Sequence, residues 1–264
     1  MTAFLASPRT WSFDAADWGH LGLAALGLAL AAWLIRRGPR ETATFGRAEL
    51  AGWSIAAGFL AYFIAQPWFI RTPEQGAAEA PFYALVGAQR LGIALVIAVV
   101  SRALLTDENP LGLHRPRRFR PVLWGLALYG AILPFMLFLG RFHDPEPVQE
   151  SARRVAEAAG TTVPLAQFFM LVLATPIFEE VVFRGLLQGG LRRNTGPEAS
   201  LLISALVFML VHPQPLWPQV LCLGALLGIA YERTRTLWTS IAIHVVHNAA
   251  TFLYLAFFYE ESSP

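Results

Sequence analysis

Apolar residues in this chain are not scattered; they gather into eight blocks, at roughly His20–Ile35, Ala51–Ile70, Tyr83–Leu105, Val122–Leu139, Pro164–Leu187, Ala199–His212, Gln219–Tyr231 and Leu237–Tyr259. A helix rises about 1.5 Å per residue and the hydrocarbon layer of a bilayer is about 30 Å thick, so about 20 apolar residues cross it. The blocks predict an all-α, polytopic membrane protein of about eight transmembrane helices. The sixth block is too short to cross and stops in Pro213-Gln214-Pro215-Leu216-Trp217-Pro218, whose prolines cannot continue a helix. The seventh is short as well. Together they predict a broken or re-entrant pair whose irregular connection lies inside the protein or beside a water-filled cavity, where backbone polar groups can be satisfied. Asp14 and Asp17 precede the first block where a signal peptide would carry a basic region, so that block reads as a retained span.

Composition agrees with this pattern. Of 264 residues, 55% are hydrophobic and 14% charged, and the mean hydropathy is +0.48. A soluble domain carries roughly 25% charged residues. A soluble globular domain, a disordered chain and a nucleic-acid binder are thereby excluded. All 20 basic side chains are arginine, which reads as codon bias and hints at a bacterial host, where the location would be the plasma (inner) membrane. Thirteen arginines fall in the loops after odd-numbered spans, among them Arg115, Arg117, Arg118, Arg120, Arg192, Arg193, Arg233 and Arg235, against five on the other side. The positive-inside rule makes the odd loops cytoplasmic, and the Arg115–Arg120 run is also suited to anionic membrane lipid. The stretch from Asp144 to Glu157 reads as a solvated external loop. Cys222, the single cysteine, offers neither a disulfide nor a thiolate pair for metal.

Ionisable side chains inside the spans need a reason to be there, because burial of an unpaired charge in hydrocarbon is expensive. They concentrate after Pro164. Span five reads Thr175-Pro176-Ile177-Phe178-Glu179-Glu180-Val181-Val182-Phe183-Arg184, span six ends in Phe208-Met209-Leu210-Val211-His212, and span eight holds His244-Val245-Val246-His247-Asn248. Glu179, His212 and Asn248 lie 14, 14 and 13 positions from the loop residues Arg193, Glu198 and Arg235. At helical rise this places all three at one depth, on the order of 20 Å from those loops. Pro176 frees the carbonyl four residues earlier and kinks the helix before the glutamates. Glu180 and Arg184 are spaced i, i+4 and can pair, while Glu179 points about 100° away. His244 and Asn248, also i, i+4, share a face.

In order and spacing, Glu179-Glu180-x-x-Phe183-Arg184, Phe208-x-x-x-His212 and Ser240-Ile241 followed by His244-x-x-x-Asn248 resemble the motifs of the CPBP intramembrane proteases, which include the type II CAAX prenyl endopeptidases and bacteriocin-processing or abortive-infection members. The resemblance covers Pro164 to Tyr259; Leu111-Gly112-Leu113-His114-Arg115-Pro116 also looks like family members, less specifically. It divides the chain into 1–162, N-terminal helices of unassigned role, and 163–264, a catalytic helical core. It implies Glu179 as general base, His212 holding or activating the attacking water, and His244 and Asn248 stabilising the oxyanion, with Glu180, Arg184 and Phe208 in support. These roles supply what amide hydrolysis needs, a base beside the water and donors where charge develops. Glu179, His212 and His244 could alternatively hold zinc through two imidazoles and one carboxylate, but no His-Glu-x-x-His motif is present, and the metal-free mechanism is favoured.

Each residue also has a plain structural reading. Glu180 with Arg184 could be a helix-stabilising pair, and His212, His244 and Asn248 could be hydrogen-bonding glue between spans. His247 reads as a packing histidine, Cys222 as core, and Gln89 and Arg90 as side chains bonded to a neighbouring span or snorkelling. Glu and His in broken helices also mark proton-coupled transporters. A transporter and a catalytically silent scaffold therefore stand as alternatives to the endopeptidase, although no duplicated half with matching broken segments accompanies them. The expected partners are a peptide or prenylated-protein substrate and membrane lipid.

Overall fold

The structure is a computed structural model that describes residues 79–104, 111–113, 119–140, 163–212 and 216–257. The blocks His20–Ile35 and Ala51–Ile70, the acidic stretch from Asp144 to Glu157, and Pro213 with Pro215 lie outside the described residues. Six helices and no strand are found among those described: α1 (Glu79–Leu104), α2 (Arg120–Gly140), α3 (Pro164–Arg192), α4 (Thr195–Leu210), α5 (Trp217–Thr234) and α6 (Leu237–Phe257). Four of them, α1, α2, α3 and α6, contain stretches long and apolar enough to cross a membrane. They coincide with the third, fourth, fifth and eighth apolar blocks. The sixth and seventh blocks become α4 and α5, the shorter pair.

Helix α6 sits at the centre, packed against α2, α5 and the middle of α3, while α1 lies along the first half of α3. One core cluster joins Phe178, Val182 and Phe183 of α3 to Phe208, Tyr231 and Ile241, and a second joins Leu128 of α2 to Leu223 and Leu227 of α5 and Ile243 of α6. Leu95, Val96 and Val99 of α1 are exposed, as befits side chains that face lipid acyl chains rather than water.

Helix α3 is not a uniform α-helix. Phe169–Ala174 and Val181–Gln188 adopt the wider π form and flank a single α-helical stretch, Thr175–Glu180, that carries the two glutamates. The chain then turns at Gly196, whose φ of 82° and ψ of 171° suit a residue without a Cβ. Past this turn α4 runs against α5 at a face of small residues. Gly224 and Gly228 are spaced i, i+4 on α5, and a Cβ added to Gly228 would meet Leu201 Cγ at 3.0 Å and Gln188 Oε1 at 3.1 Å. Such close approach lets two buried side chains of α3 reach the α5 backbone: Arg184 Nη2 donates to the Gly224 carbonyl at 3.0 Å and Gln188 Nε2 to that of Gly228 at 3.1 Å. Gly228→Val is therefore expected to destabilise the protein by about 1–3 kcal/mol through overpacking. Gly130→Ala, where nothing lies within 4 Å of the added carbon, serves as the control. Thermal unfolding in detergent reads the difference, and equal midpoints for the two variants would contradict this packing.

The helix ends on the Arg192 side are tied together. Glu232 accepts from Arg192 Nε at 2.9 and 3.1 Å and from both terminal nitrogens of Arg235 at 3.1 and 2.6 Å. Arg235 itself takes the left-handed conformation (φ 54°) that ends α5. Two of the arginines that the charge pattern placed in loops thus serve as structural ties. The segment Leu111–Leu113 docks on the same turn, with the Leu237 N–H donating to the Gly112 carbonyl at 2.8 Å and Trp238 Nε1 to that of Leu113 at 3.1 Å.

Candidate active site

The α-helical stretch Thr175–Glu180 of α3 and the first half of α6 bring three ionisable side chains together. Glu180 is fully buried, and its Oε1 accepts from Arg184 Nη1 at 2.9 Å and from His244 Nδ1 at 2.9 Å. A carboxylate is an acceptor, so His244 carries a proton on Nδ1, and its Nε2 is turned to the other glutamate. Glu179 Oε2 lies 3.7 Å from that Nε2, too far for a hydrogen bond. A water that lay about 2.8 Å from each would bridge the two. Glu179 makes no hydrogen bond among the described residues, whereas Glu180 takes two strong donors. Adjacent carboxylates in one helix are thereby separated into one that is tied and one whose lone pairs stay available, the division expected from their 100° offset.

Phe208 is the hub that draws α4 into this cluster. Its ring lies under the Arg184 guanidinium at 4.5 Å and edge-on to His244 at 5.8 Å, and it stacks at a tilt on His212 at 4.6 Å. Charge above an aromatic face is attracted to it, so the ring completes the surroundings of a buried Arg184 that already bonds Glu180 and Gly224. His212 Nδ1 donates to the Phe208 carbonyl at 2.6 Å, and the His212 carbonyl accepts from Trp217 Nε1 at 2.9 Å. Its tautomer is set by the first of these bonds, which leaves Nε2 as an acceptor. Glu179, Glu180, Arg184, Phe208 and His244 are therefore gathered in one place, with His212 joined to them across the Phe208 ring.

Asn248 is held in a different way. The Thr175 N–H reaches back five residues to the Met170 carbonyl, and the Thr175 hydroxyl donates to the same oxygen at 2.8 Å. The next N–H in that register would serve Leu171, but residue 176 is proline and has none. Asn248 Nδ2 donates to the Leu171 carbonyl instead, at 2.8 Å. An α-helical register predicts that Pro176 frees the carbonyl four residues earlier; the π turn moves the register by one, so the carbonyl that Asn248 meets is five residues earlier.

Three supporting contacts come from residues outside the motifs. Arg90 of α1 donates to the Thr175 hydroxyl, Tyr129 of α2 hydrogen-bonds His247 Nδ1 at 3.2 Å, and Gln188 continues the Arg184 row one turn on. Arg90 thus bonds a neighbouring helix rather than snorkelling, and His247, read as a packing histidine, packs edge-on against Tyr129. Gln188 was not singled out from the sequence, although an i, i+4 pair of long polar side chains facing Gly224-x-x-x-Gly228 is a readable signal. Among the described residues no three His, Cys, Asp or Glu side chains are grouped so as to hold a metal ion. Of the residues that could serve as alternative zinc ligands, Glu179 Oε2 and His244 Nε2 lie 3.7 Å apart, and His212 and His244 both contact the Phe208 ring.

No curated protein and no solved structure matches the chain. Residues 161–250 match the family Type II CAAX prenyl endopeptidase Rce1-like. That span begins just before α3 and ends two residues past Asn248, so it contains every residue of the cluster just described except Arg90 and Tyr129. The resemblance read from three short motifs and the family match meet in this one segment, so the site-bearing part of the chain, residues 161–250, is similar to the Rce1-like type II CAAX prenyl endopeptidases, as the CPBP motifs implied.

Proposed function

We propose that this protein is an intramembrane endopeptidase that hydrolyses a peptide bond near the cytoplasmic side of the membrane. The observation that carries the reading is the unequal treatment of Glu179 and Glu180, with His244 aligned between them. Glu179 takes a proton from water as the water oxygen attacks the scissile carbonyl carbon, and His212 Nε2 accepts the second hydrogen of that water. His244 and Asn248 donate to the oxygen on which negative charge develops. Donation from both ring nitrogens belongs to the protonated imidazole, and Glu180 is the countercharge for that form. Collapse of the tetrahedral intermediate breaks the C–N bond, and the proton held by Glu179 passes to the leaving amine. No step calls for a metal ion.

In this reading the chain is multi-pass, with about eight spans, and α4 and α5 form the broken pair whose connection admits water to Glu179. Residues 163–264 form the catalytic core. The substrate class is a peptide with a prenylated cysteine followed by a short C-terminal tail, or in a bacterial plasma membrane a bacteriocin-like peptide. The test is cleavage of a fluorogenic farnesylated peptide and of a peptide library by detergent-purified wild type, Glu179→Ala and His212→Ala, with and without a zinc chelator. Cleavage by wild type that survives chelation and is lost in both variants is expected. Loss on chelation with recovery on added zinc would overturn the metal-free mechanism, and a wild type that leaves every peptide intact would overturn the function.

A further inference from the structure

A helix-interior proline removes one backbone donor, and which carbonyl loses its partner depends on the local register. In α3 the Thr175 N–H, which an α-helix would send to Leu171, goes to Met170. The N–H that a π register would send to Leu171 belongs to position 176, which is proline. Neither register therefore supplies Leu171 with a donor, and the amide of Asn248, 77 residues further along the chain, takes that place at 2.8 Å. The amide has two N–H groups, and this bond uses one. Asn248 stands one helical turn from His244 on the same face of α6.

We propose that Pro176 is a positioning residue that acts through Asn248. By leaving the Leu171 carbonyl without a backbone donor, it anchors the Asn248 amide, fixing one N–H so that the other is held in place for the substrate's carbonyl oxygen. The catalytic half of this statement rests on the endopeptidase reading; the structural half does not. Alanine at 176 would supply the missing N–H, compete with Asn248 for α3 carbonyls and let the amide swing.

The test is a double-mutant cycle on the full-length protein in detergent, using wild type, Pro176→Ala, Asn248→Ala and the double variant, read by unfolding midpoint and by kcat and KM on the farnesylated peptide. Asn248→Ala is expected to lower kcat by about 100-fold, the usual loss for one oxyanion donor. Pro176→Ala is expected to lower kcat on the order of 10-fold with KM unchanged, because a loosened donor loses part of what a deleted one loses. The double variant should match Asn248→Ala alone. Asn248→Ala should lower the midpoint when residue 176 is proline and leave it unchanged when residue 176 is alanine. Equal factors in both backgrounds, for either readout, would overturn the proposal. Pro176→Ser supplies the same N–H, so an effect limited to one of the two substitutions, or failure of both to fold, would overturn it too. A wild type that cleaves nothing sinks the endopeptidase reading and leaves the midpoint cycle to decide the structural half.

Discussion

Glu179→Gln is expected to lower kcat by about 10³–10⁴-fold, toward the upper end of what a positioned general base contributes, while leaving the unfolding midpoint in detergent unchanged. The second half of the expectation follows from the structure as directly as the first. Glu179 is buried yet makes no hydrogen bond among the described residues, and the His244 Nε2 that faces it is 3.7 Å away. Glutamine keeps the shape and removes the charge and the basicity, so little of the fold depends on the exchange. The measurement is single-turnover cleavage of the farnesylated peptide alongside a thermal melt. Near-wild-type turnover by Glu179→Gln would remove this residue from the chemistry. A full loss of activity together with a large fall in midpoint would make it a structural carboxylate.

The separation of the two glutamates was legible in the sequence because ionisable residues stand out against an apolar run, and adjacent positions on a helix point in different directions. The pairing of Glu180 with Arg184 followed from i, i+4 spacing alone. What spacing could not show is that Glu180 also receives His244, 64 residues away, since that contact depends on how α6 crosses α3. The π turns were hidden for another reason: Phe169–Ala174 is apolar throughout, and such a run offers no polar position from which to read its period. The identity of the carbonyl beside Pro176, and with it the first hydrogen bond of Asn248, was misplaced by one residue as a result. His212 was placed at the depth of the others by counting, whereas its contact with the Phe208 ring, which also meets His244 edge-on, depends on how α4 packs against α6 and no spacing shows it.

The second large effect concerns stability. Glu180 and Arg184 form an ion pair with both side chains fully buried, and removal of one partner from such a pair leaves the other as an uncompensated charge, at a cost of roughly 3–5 kcal/mol. Arg184→Leu is expected to be the more damaging single change. It strips the Glu179–Glu180 pair of its cation and also deletes the bond to the Gly224 carbonyl that ties α3 to α5. Glu180→Leu leaves Arg184 with that bond, the Phe208 face at 4.5 Å and Glu179 as a remaining countercharge. The double variant Glu180→Leu/Arg184→Leu should regain stability over Arg184→Leu, because an apolar pair of similar volume can replace a buried ion pair at little cost. It should not regain activity, since nothing then holds the Nδ1 proton of His244 and the ring loses its alignment with Glu179. Unfolding midpoints and single-turnover rates for the three variants check both halves. If the double variant is as unstable as Arg184→Leu, the Gly224 bond and not the ion pair dominates; if it cleaves as well as wild type, His244 does not depend on Glu180, and the division of labour between the two glutamates fails with it.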